Sequence, residues 1–168
     1  MPRVGIALGS NLGDRLSHLR QALECLREIA VPGEALLCAP IYQTEPRFCP
    51  SGSPDFFNTV VEISYEGSAF ELLDITQAIE RNLGRLHPVE RNAPRVIDLD
   101  LLYFGNEIIA SESLVLPHPR IAERRFVLQP LTAIRPELIL PGEIHTVAEI
   151  LEGIPSDEAP LVLVTSTL

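Results

Sequence analysis

The run Val96-Ile97-Asp98-Leu99-Asp100-Leu101-Leu102-Tyr103-Phe104 constrains this chain more than any other stretch, because it is an apolar, β-prone segment that carries two aspartates two positions apart. A strand alternates faces with period two. Asp98 and Asp100 therefore point to one face, while Ile97, Leu99 and Leu101 point to the other. Any sheet that contains this strand must bury one side here and keep the other fit for charge. Aspartate is depleted in strands, and neighbouring carboxylates repel one another and lose hydration on burial. A divalent cation relieves both problems. Hard oxygen pairs suit magnesium, which takes one or two carboxylates and completes its shell with water and substrate phosphates. Arg91 and Arg95 arrive just before the strand, and an arginine fork matches phosphate oxygens bidentately. The segment reads as a magnesium–nucleotide site.

The rest of the chain supplies the sheet around it. Residues 3–9 predict a first strand, and the turn Ser10-Asn11-Leu12-Gly13-Asp14 opens a helix in which Leu16, Leu19, Leu23 and Leu26 recur at helical spacing to about residue 29. Residues 35–43 predict a second strand and Phe56 to Tyr65 a third, with a proline-containing loop over 44–55 between them. Ser68-Ala69-Phe70-Glu71 is a capping box. It starts a helix with Leu72, Ile75, Ile79 and Leu83 on one face, ended by Gly84. A second long loop over 86–95 leads into the acidic strand. After it come a short strand at Ile108-Ile109, a short helix around 121–128, a mixed stretch over 130–141, a last short helix over 145–152 and an apolar edge strand at 161–164. Strand, helix, strand, strand, helix, strand is the split βαβ plan. The expected fold is α+β and ferredoxin-like, a mostly antiparallel sheet with helices packed on one face, forming a single domain over the 168 residues.

Composition excludes several chemistries. All thirteen basic residues are arginine. Without a lysine there is no Walker P-loop, no kinase strand lysine and no Schiff base; an anion must be held by arginine, histidine or main-chain amides. The formal net charge of −10 argues against a general nucleic-acid or membrane-surface binder. Against that background the local clusters Arg81, Arg85, Arg91, Arg95 and Arg120, Arg124, Arg125 suggest a specific anionic ligand. Cys25, Cys38 and Cys49 are odd in number and lack metal-ligand spacing, which fits reduced thiols in a cytoplasm. The opening Met-Pro-Arg-Val-Gly-Ile-Ala lacks a signal-peptide plan, and no apolar run reaches membrane-span length. A cytoplasmic, monomeric protein with small-molecule partners, and with neither nucleic acid nor membrane, is the expectation.

Other candidates carry two readings each. Gly9-Ser10-Asn11-Leu12-Gly13-Asp14-Arg15 could present amides to an anion, though turn chemistry alone explains it. His118, between Pro117 and Pro119 and ahead of Arg124 and Arg125, could donate to a phosphate or leaving oxygen, or simply cap a backbone group. Phe56 and Asn58 share a strand face by the period-two rule, and with Phe126 could hold a flat heterocycle; core packing competes for both phenylalanines.

Taken together, Gly9-Ser10-Asn11-Leu12-Gly13-Asp14, Tyr42-Gln43-Thr44-Glu45-Pro46, Pro54-Asp55-Phe56-Phe57-Asn58, Pro94-Arg95-Val96-Ile97-Asp98-Leu99-Asp100-Leu101-Leu102-Tyr103-Phe104-Gly105, Leu116-Pro117-His118-Pro119 and Arg124-Arg125-Phe126-Val127-Leu128-Gln129-Pro130-Leu131 resemble the 6-hydroxymethyl-7,8-dihydropterin pyrophosphokinases of folate biosynthesis. The blocks occur in family order over about residues 4–140. The resemblance implies transfer of a diphosphate from ATP to the pterin hydroxymethyl group, with release of AMP. It implies that Asp98 and Asp100 hold two magnesium ions on the ATP phosphates. Arg85, Arg95 and His118 take the catalytic positions, with Arg95, His118, Arg124, Gln77, Glu80 and Leu101 at the nucleotide. Thr44, Glu45, Phe56, Asn58 and Phe126 take the pterin positions. The chain departs from the family where Asn92-Ala93 replaces a tryptophan-glycine, where His87-Pro88 replaces a basic pair, and where Pro119 stands in a position often held by tyrosine. A pterin- or nucleotide-binding module without catalysis, and a kinase that moves only the γ-phosphate to a small alcohol, would use overlapping residues. AMP, ADP or neither as product separates the three.

Overall fold

The computed structural model describes residues 1–45, 52–84, 96–155 and 161–168. In chain order these hold β1 (Arg3–Ser10), α1 (Arg15–Ile29), β2 (Leu37–Cys38), β3 (Ile41–Thr44), β4 (Phe56–Ser64), α2 (Ala69–Asn82), β5 (Asp98–Phe104), β6 (Ile109–Ala110), β7 (Val115–Leu116), a 3-10 turn (Ile121–Glu123), α3 (Arg125–Ile134), α4 (Val147–Glu152) and β8 (Val162–Thr165). The main sheet runs β5-β1-β4-β3-β8, with β2 also on β4, and every pairing in it is antiparallel. That order is the split βαβ arrangement the sequence predicts. A separate ribbon pairs β6 with β7.

The local signals explain the elements. Asp14 caps α1 by accepting the Ser17 amide at 3.0 Å, so turn and cap chemistry accounts for the 9–15 segment. Ser68 and Glu71 form the reciprocal capping box that starts α2, which satisfies two otherwise orphaned donors. Gly84 follows that helix at a φ of +106°, in the region that favours glycine.

Three expectations need correction. The helices do not share one face. Leu19, Leu23 and Leu26 of α1 and Leu72 and Ile79 of α2 pack with Val4, Ile6, Leu8, Leu99 and Leu101 on one side. On the other side Val127, Leu128 and Leu131 of α3 pack with Val60, Leu102 and Tyr103. The sheet has apolar residues on both sides, so both need cover. The predicted strand over 35–43 is two short strands, because Pro40 lacks an amide for the ladder; Ala39 still donates to the Val60 carbonyl at 2.9 Å. Finally, the predicted 121–128 helix is a 3-10 turn followed by α3, which continues through Pro130 to Ile134. Burial of Val127, Leu128 and Leu131 outweighs the hydrogen bond that Pro130 removes.

Candidate active site

The second side of the sheet carries the polar groups, and the register lines them up. Asp98 on β5 pairs with Gly9 on β1, Gly9 with Asn58 on β4, and Asn58 with Tyr42 on β3. One row therefore crosses the sheet from a carboxylate to an amide with a glycine between them. Asp100 lies in the next row, opposite Ala7. Leu99 and Leu101, facing the other way, are buried in the α1/α2 core. The alternation read from the sequence holds here, and both aspartates are half-buried.

The glycine matters because of what its missing side chain leaves open. A Cβ built at Gly9 would stand 3.1 Å from Asn58 Oδ1 and 3.7 Å from Phe56 Cδ1. Gly9 is thus a flat floor between the acids and an amide, with a phenyl ring at its side. Asn58 is buried and its Nδ2 donates to Thr44 Oγ1 at 2.7 Å. An amide has two donors and an oxygen with two lone pairs, so after this bond Oδ1 and one N–H remain to meet a ligand. The segment before Phe56 is tied down from two sides. Arg15 Nη1 donates to the Asp55 carbonyl at 2.8 Å while its guanidinium lies 3.8 Å from the Phe57 ring centroid. Gln43 Nε2 donates to Asp55 Oδ2 at 2.7 Å.

The 116–126 segment sets His118 against β5 and brings Arg124 within electrostatic reach of the acids. The His118 amide donates to the Leu102 carbonyl at 2.7 Å, which fixes the histidine beside β5. His118 Nδ1 accepts the Arg120 amide at 3.2 Å; this hydrogen bond assigns the imidazole proton to Nε2. Burial, helped by the charges of Arg124 and Arg120, pushes the His118 pKa below its ordinary value, favouring the neutral ring. Burial, with the charge of Arg120, pushes the Arg124 pKa below its ordinary value, while Asp100, Asp98 and Glu123 within electrostatic reach favour its charge. Its guanidinium is 5.5 Å from the Phe126 ring centroid, and Phe126 packs against the core on this same side of the sheet.

The structure thus brings Asp98, Asp100, Phe56, Asn58, Thr44, His118, Arg124 and Phe126 to one side. Gln77 is exposed on α2 and Glu80 buried on it. Glu45 is exposed at the end of β3. The Leu101 side chain belongs to the opposite core, so only its main chain is available to a ligand. Arg85 and Arg95 lie outside the described residues, as do Arg91, Asn92, Ala93, His87 and Pro88. The sequence alone does not single out Gly9 on β1 or the buried Glu62, which lies on β4 on the side of Asn58; a lone glutamate at even spacing from Asn58 is the signal available for the second.

The donors fit a magnesium ion in kind. Two half-buried carboxylates on one strand face are hard oxygen ligands, and among the described residues no cluster of three or more metal-ligating acidic, histidine or cysteine side chains occurs. Two carboxylates with the remaining positions left to water and phosphate is the usual magnesium arrangement.

Residues 5–136 match the sequence model of the family described as 7,8-dihydro-6-hydroxymethylpterin-pyrophosphokinase, or HPPK. This chain belongs to that family. It is 47% identical over 132 residues to the 2-amino-4-hydroxy-6-hydroxymethyldihydropteridine pyrophosphokinase of Bacillus subtilis, a match covering 77% of this chain and 75% of that protein. A protein of the same name from Haemophilus influenzae is 38% identical over 137 residues, covering 82% and 84%. The folic acid synthesis protein fol1 of Pneumocystis carinii is 37% identical over 161 residues, which is 95% of this chain but 21% of that one. Among solved structures, Plasmodium falciparum HPPK-DHPS with SDX-DHP superposes with a TM-score of 0.70 at 13% identity, covering 90% of this chain and 44% of that chain. At that identity the likeness speaks for the fold. The HPPK chain therefore spans about a fifth of the fungal relative and under half of the Plasmodium chain.

Proposed function

We propose that this HPPK-family chain transfers a diphosphate from ATP to the hydroxymethyl oxygen of 6-hydroxymethyl-7,8-dihydropterin in folate biosynthesis. The observation that carries the reading is the row Asp98–Gly9–Asn58: a carboxylate end suited to a metal–triphosphate, and an amide-and-phenyl end suited to a flat heterocycle, separated by a side-chain-free floor. In the reaction the hydroxymethyl oxygen forms a bond to the β-phosphorus, the bond from that phosphorus to the bridging oxygen of AMP breaks, and the hydroxyl proton passes to solvent.

Asp98 and Asp100 would hold magnesium, which when bound supplies charge neutralisation between phosphate oxygens. The protein's own contribution is positioning and electrostatics, as phosphoryl transfer generally requires. Arg124, within electrostatic reach of both acids, supplies positive charge where AMP departs. His118, neutral and protonated on Nε2, serves as a hydrogen-bond donor to a phosphate oxygen without adding a second full charge beside Arg124. Asn58 Oδ1 accepts from the pterin edge, and Phe56 and Phe126 offer ring faces. Arg85 and Arg95 complete the phosphate grip in this reading. Gln77, Glu80 and the Leu101 main chain serve the nucleotide, and Thr44 and Glu45 the pterin side. The setting is cytoplasmic and the chain a monomer.

The test is product identity. ATP, magnesium and the dihydropterin are incubated with the protein and the nucleotides separated by chromatography. Stoichiometric AMP is expected. ADP would mean γ-phosphate transfer, and unchanged ATP beside bound pterin would mean a binding module.

A further inference from the structure

The buried Glu62 on β4 has no part in the chemistry above, yet three other elements converge on it. Its side chain is fully buried. It accepts from Arg3 Nε of β1 at 2.8 Å, from Arg135 Nη1 at 2.7 Å to each oxygen, and from the Tyr103 hydroxyl of β5. A buried carboxylate is tolerated only when paired and hydrogen-bonded in this way. What brings Tyr103 to it is an irregularity in β5. The β1–β5 register shifts between Gly5 and Ile6, so that Ile6 faces Leu101 while Gly5 faces Tyr103. Leu102 is the extra residue of a β-bulge. Simple alternation would send Tyr103 to the α1/α2 side with Leu99 and Leu101. Instead Leu102 and Tyr103 both lie in the α3 core, on the side of Asp98 and Asp100. Bulges re-aim side chains in this manner.

The Tyr103 ring then lies against Gly5, where an added Cβ would clash with its Cε1, and its hydroxyl reaches Glu62. Two site groups hang on this assembly. The bulged residue's carbonyl, that of Leu102, is the acceptor for the His118 amide at 2.7 Å. Arg135 is the residue that ends α3, and Arg124 stands at the start of the same helix.

We infer that Tyr103, Glu62 and Arg135 are positioning residues for the nucleotide half of the site: the Tyr103–Glu62 bond holds the β5 bulge that anchors His118, and the Glu62–Arg135 pair holds the far end of the helix that aims Arg124 at the acids. The strand-borne part of the pterin half, Thr44, Phe56 and Asn58 on β3 and β4, does not depend on the bulge, while Phe126 shares α3 with the Arg135 arm. The inference rests on the nucleotide reading proposed above. It predicts a split between the two ligands that a general loss of stability would not produce.

Tyr103→Phe keeps the ring over Gly5 and leaves Glu62 with both arginines, so only the bulge clamp is lost. Expected in this variant are about tenfold faster hydrogen exchange at the His118 amide and about tenfold lower kcat, since misplacement of a catalytic group by a fraction of an ångström has effects of that order. Affinity for a non-hydrolysable ATP analogue with magnesium should fall by a comparable factor, while pterin affinity, measured at saturating analogue, stays within about twofold. Unchanged His118 exchange together with unchanged nucleotide affinity overturns the inference, and so does an equal loss for both ligands. Arg135→Met and Arg135→Lys give a second arm that holds even if Tyr103→Phe fails to fold. Lysine should restore nucleotide affinity relative to methionine, and equal affinity in the two variants overturns the α3 half of the inference. Wild-type protein that forms no AMP would refute the proposed function, a result separable from any of these.

Discussion

Gly5 and Gly9 lie on the same face of β1, and one methyl added to each is a matched perturbation with opposite expected readouts. At Gly9 the new Cβ stands 3.1 Å from Asn58 Oδ1, with Phe56 Cδ1 at 3.7 Å and the Phe57 carbonyl at 4.0 Å. The last two are ordinary contacts. The first needs a shift of a few tenths of an ångström in the end of one side chain, so Gly9→Ala should fold with little change in melting temperature. The methyl occupies the floor on which the pterin would lie. Overpacking by a methyl costs about 1–3 kcal/mol, which at about 1.4 kcal/mol per decade weakens pterin binding about 5- to 150-fold. At Gly5 the Cβ would stand 2.3 Å from Tyr103 Cε1 and 2.6 Å from its Cζ. The ring must leave, breaking its bond to Glu62 and opening a buried void, so Gly5→Ala should lose about 3 kcal/mol or more of stability. Calorimetry with the dihydropterin at saturating nucleotide analogue, beside thermal melts of both variants, reads the two effects. Wild-type pterin affinity in Gly9→Ala would refute the floor. A wild-type melting temperature in Gly5→Ala would refute the packing argument for Tyr103.

Asp98→Asn and Asp100→Asn should each lower turnover by about two orders of magnitude or more while the protein stays folded, because each removes a charged oxygen ligand; near-native turnover at limiting magnesium would remove the metal assignment. Asn58→Ala should weaken pterin binding by about 1–3 kcal/mol, the cost of an unpaired buried partner, and equal calorimetric affinity would exclude Asn58 from the pocket. His118 has a folded-state pKa below its unfolded value of about 6.5. Its contribution to stability is therefore present above about pH 6.5 and lost as pH falls through the folded pKa. The wild-type melting temperature should drop more between pH 7.5 and 5.5 than that of His118→Gln, and parallel curves would show that His118 titrates freely.

Much of this architecture is legible in local sequence because it rests on local physics. The Leu19, Leu23, Leu26 stripe and the Ser68–Glu71 box mark their helices, and period two alone puts Asp98 and Asp100 on one face. The unread parts depend on partners far along the chain. Nothing in Leu101-Leu102-Tyr103 announces a bulge, since its effect is to exchange the side on which an aromatic lies, and that is decided by Gly5 beneath it and Glu62 beside it. Pro130 is a helix breaker by propensity, yet burial of Val127, Leu128 and Leu131 keeps α3 intact. The cover on the second side of the sheet was missed for the same reason. On the site itself, the aspartates and the Phe56–Asn58 spacing are visible in order, while the floor at Gly9 emerges only when register sets three strands side by side.

The destination of the β-phosphorus tests the central claim most directly. With ATP labelled at that phosphorus, magnesium and 6-hydroxymethyl-7,8-dihydropterin, the label should appear in a pterin diphosphate in step with unlabelled AMP, and Asp98→Asn should slow its transfer by about two orders of magnitude or more. Label retained in ADP, with only the γ-phosphate moved, or label remaining in ATP while pterin stays bound, would contradict the account.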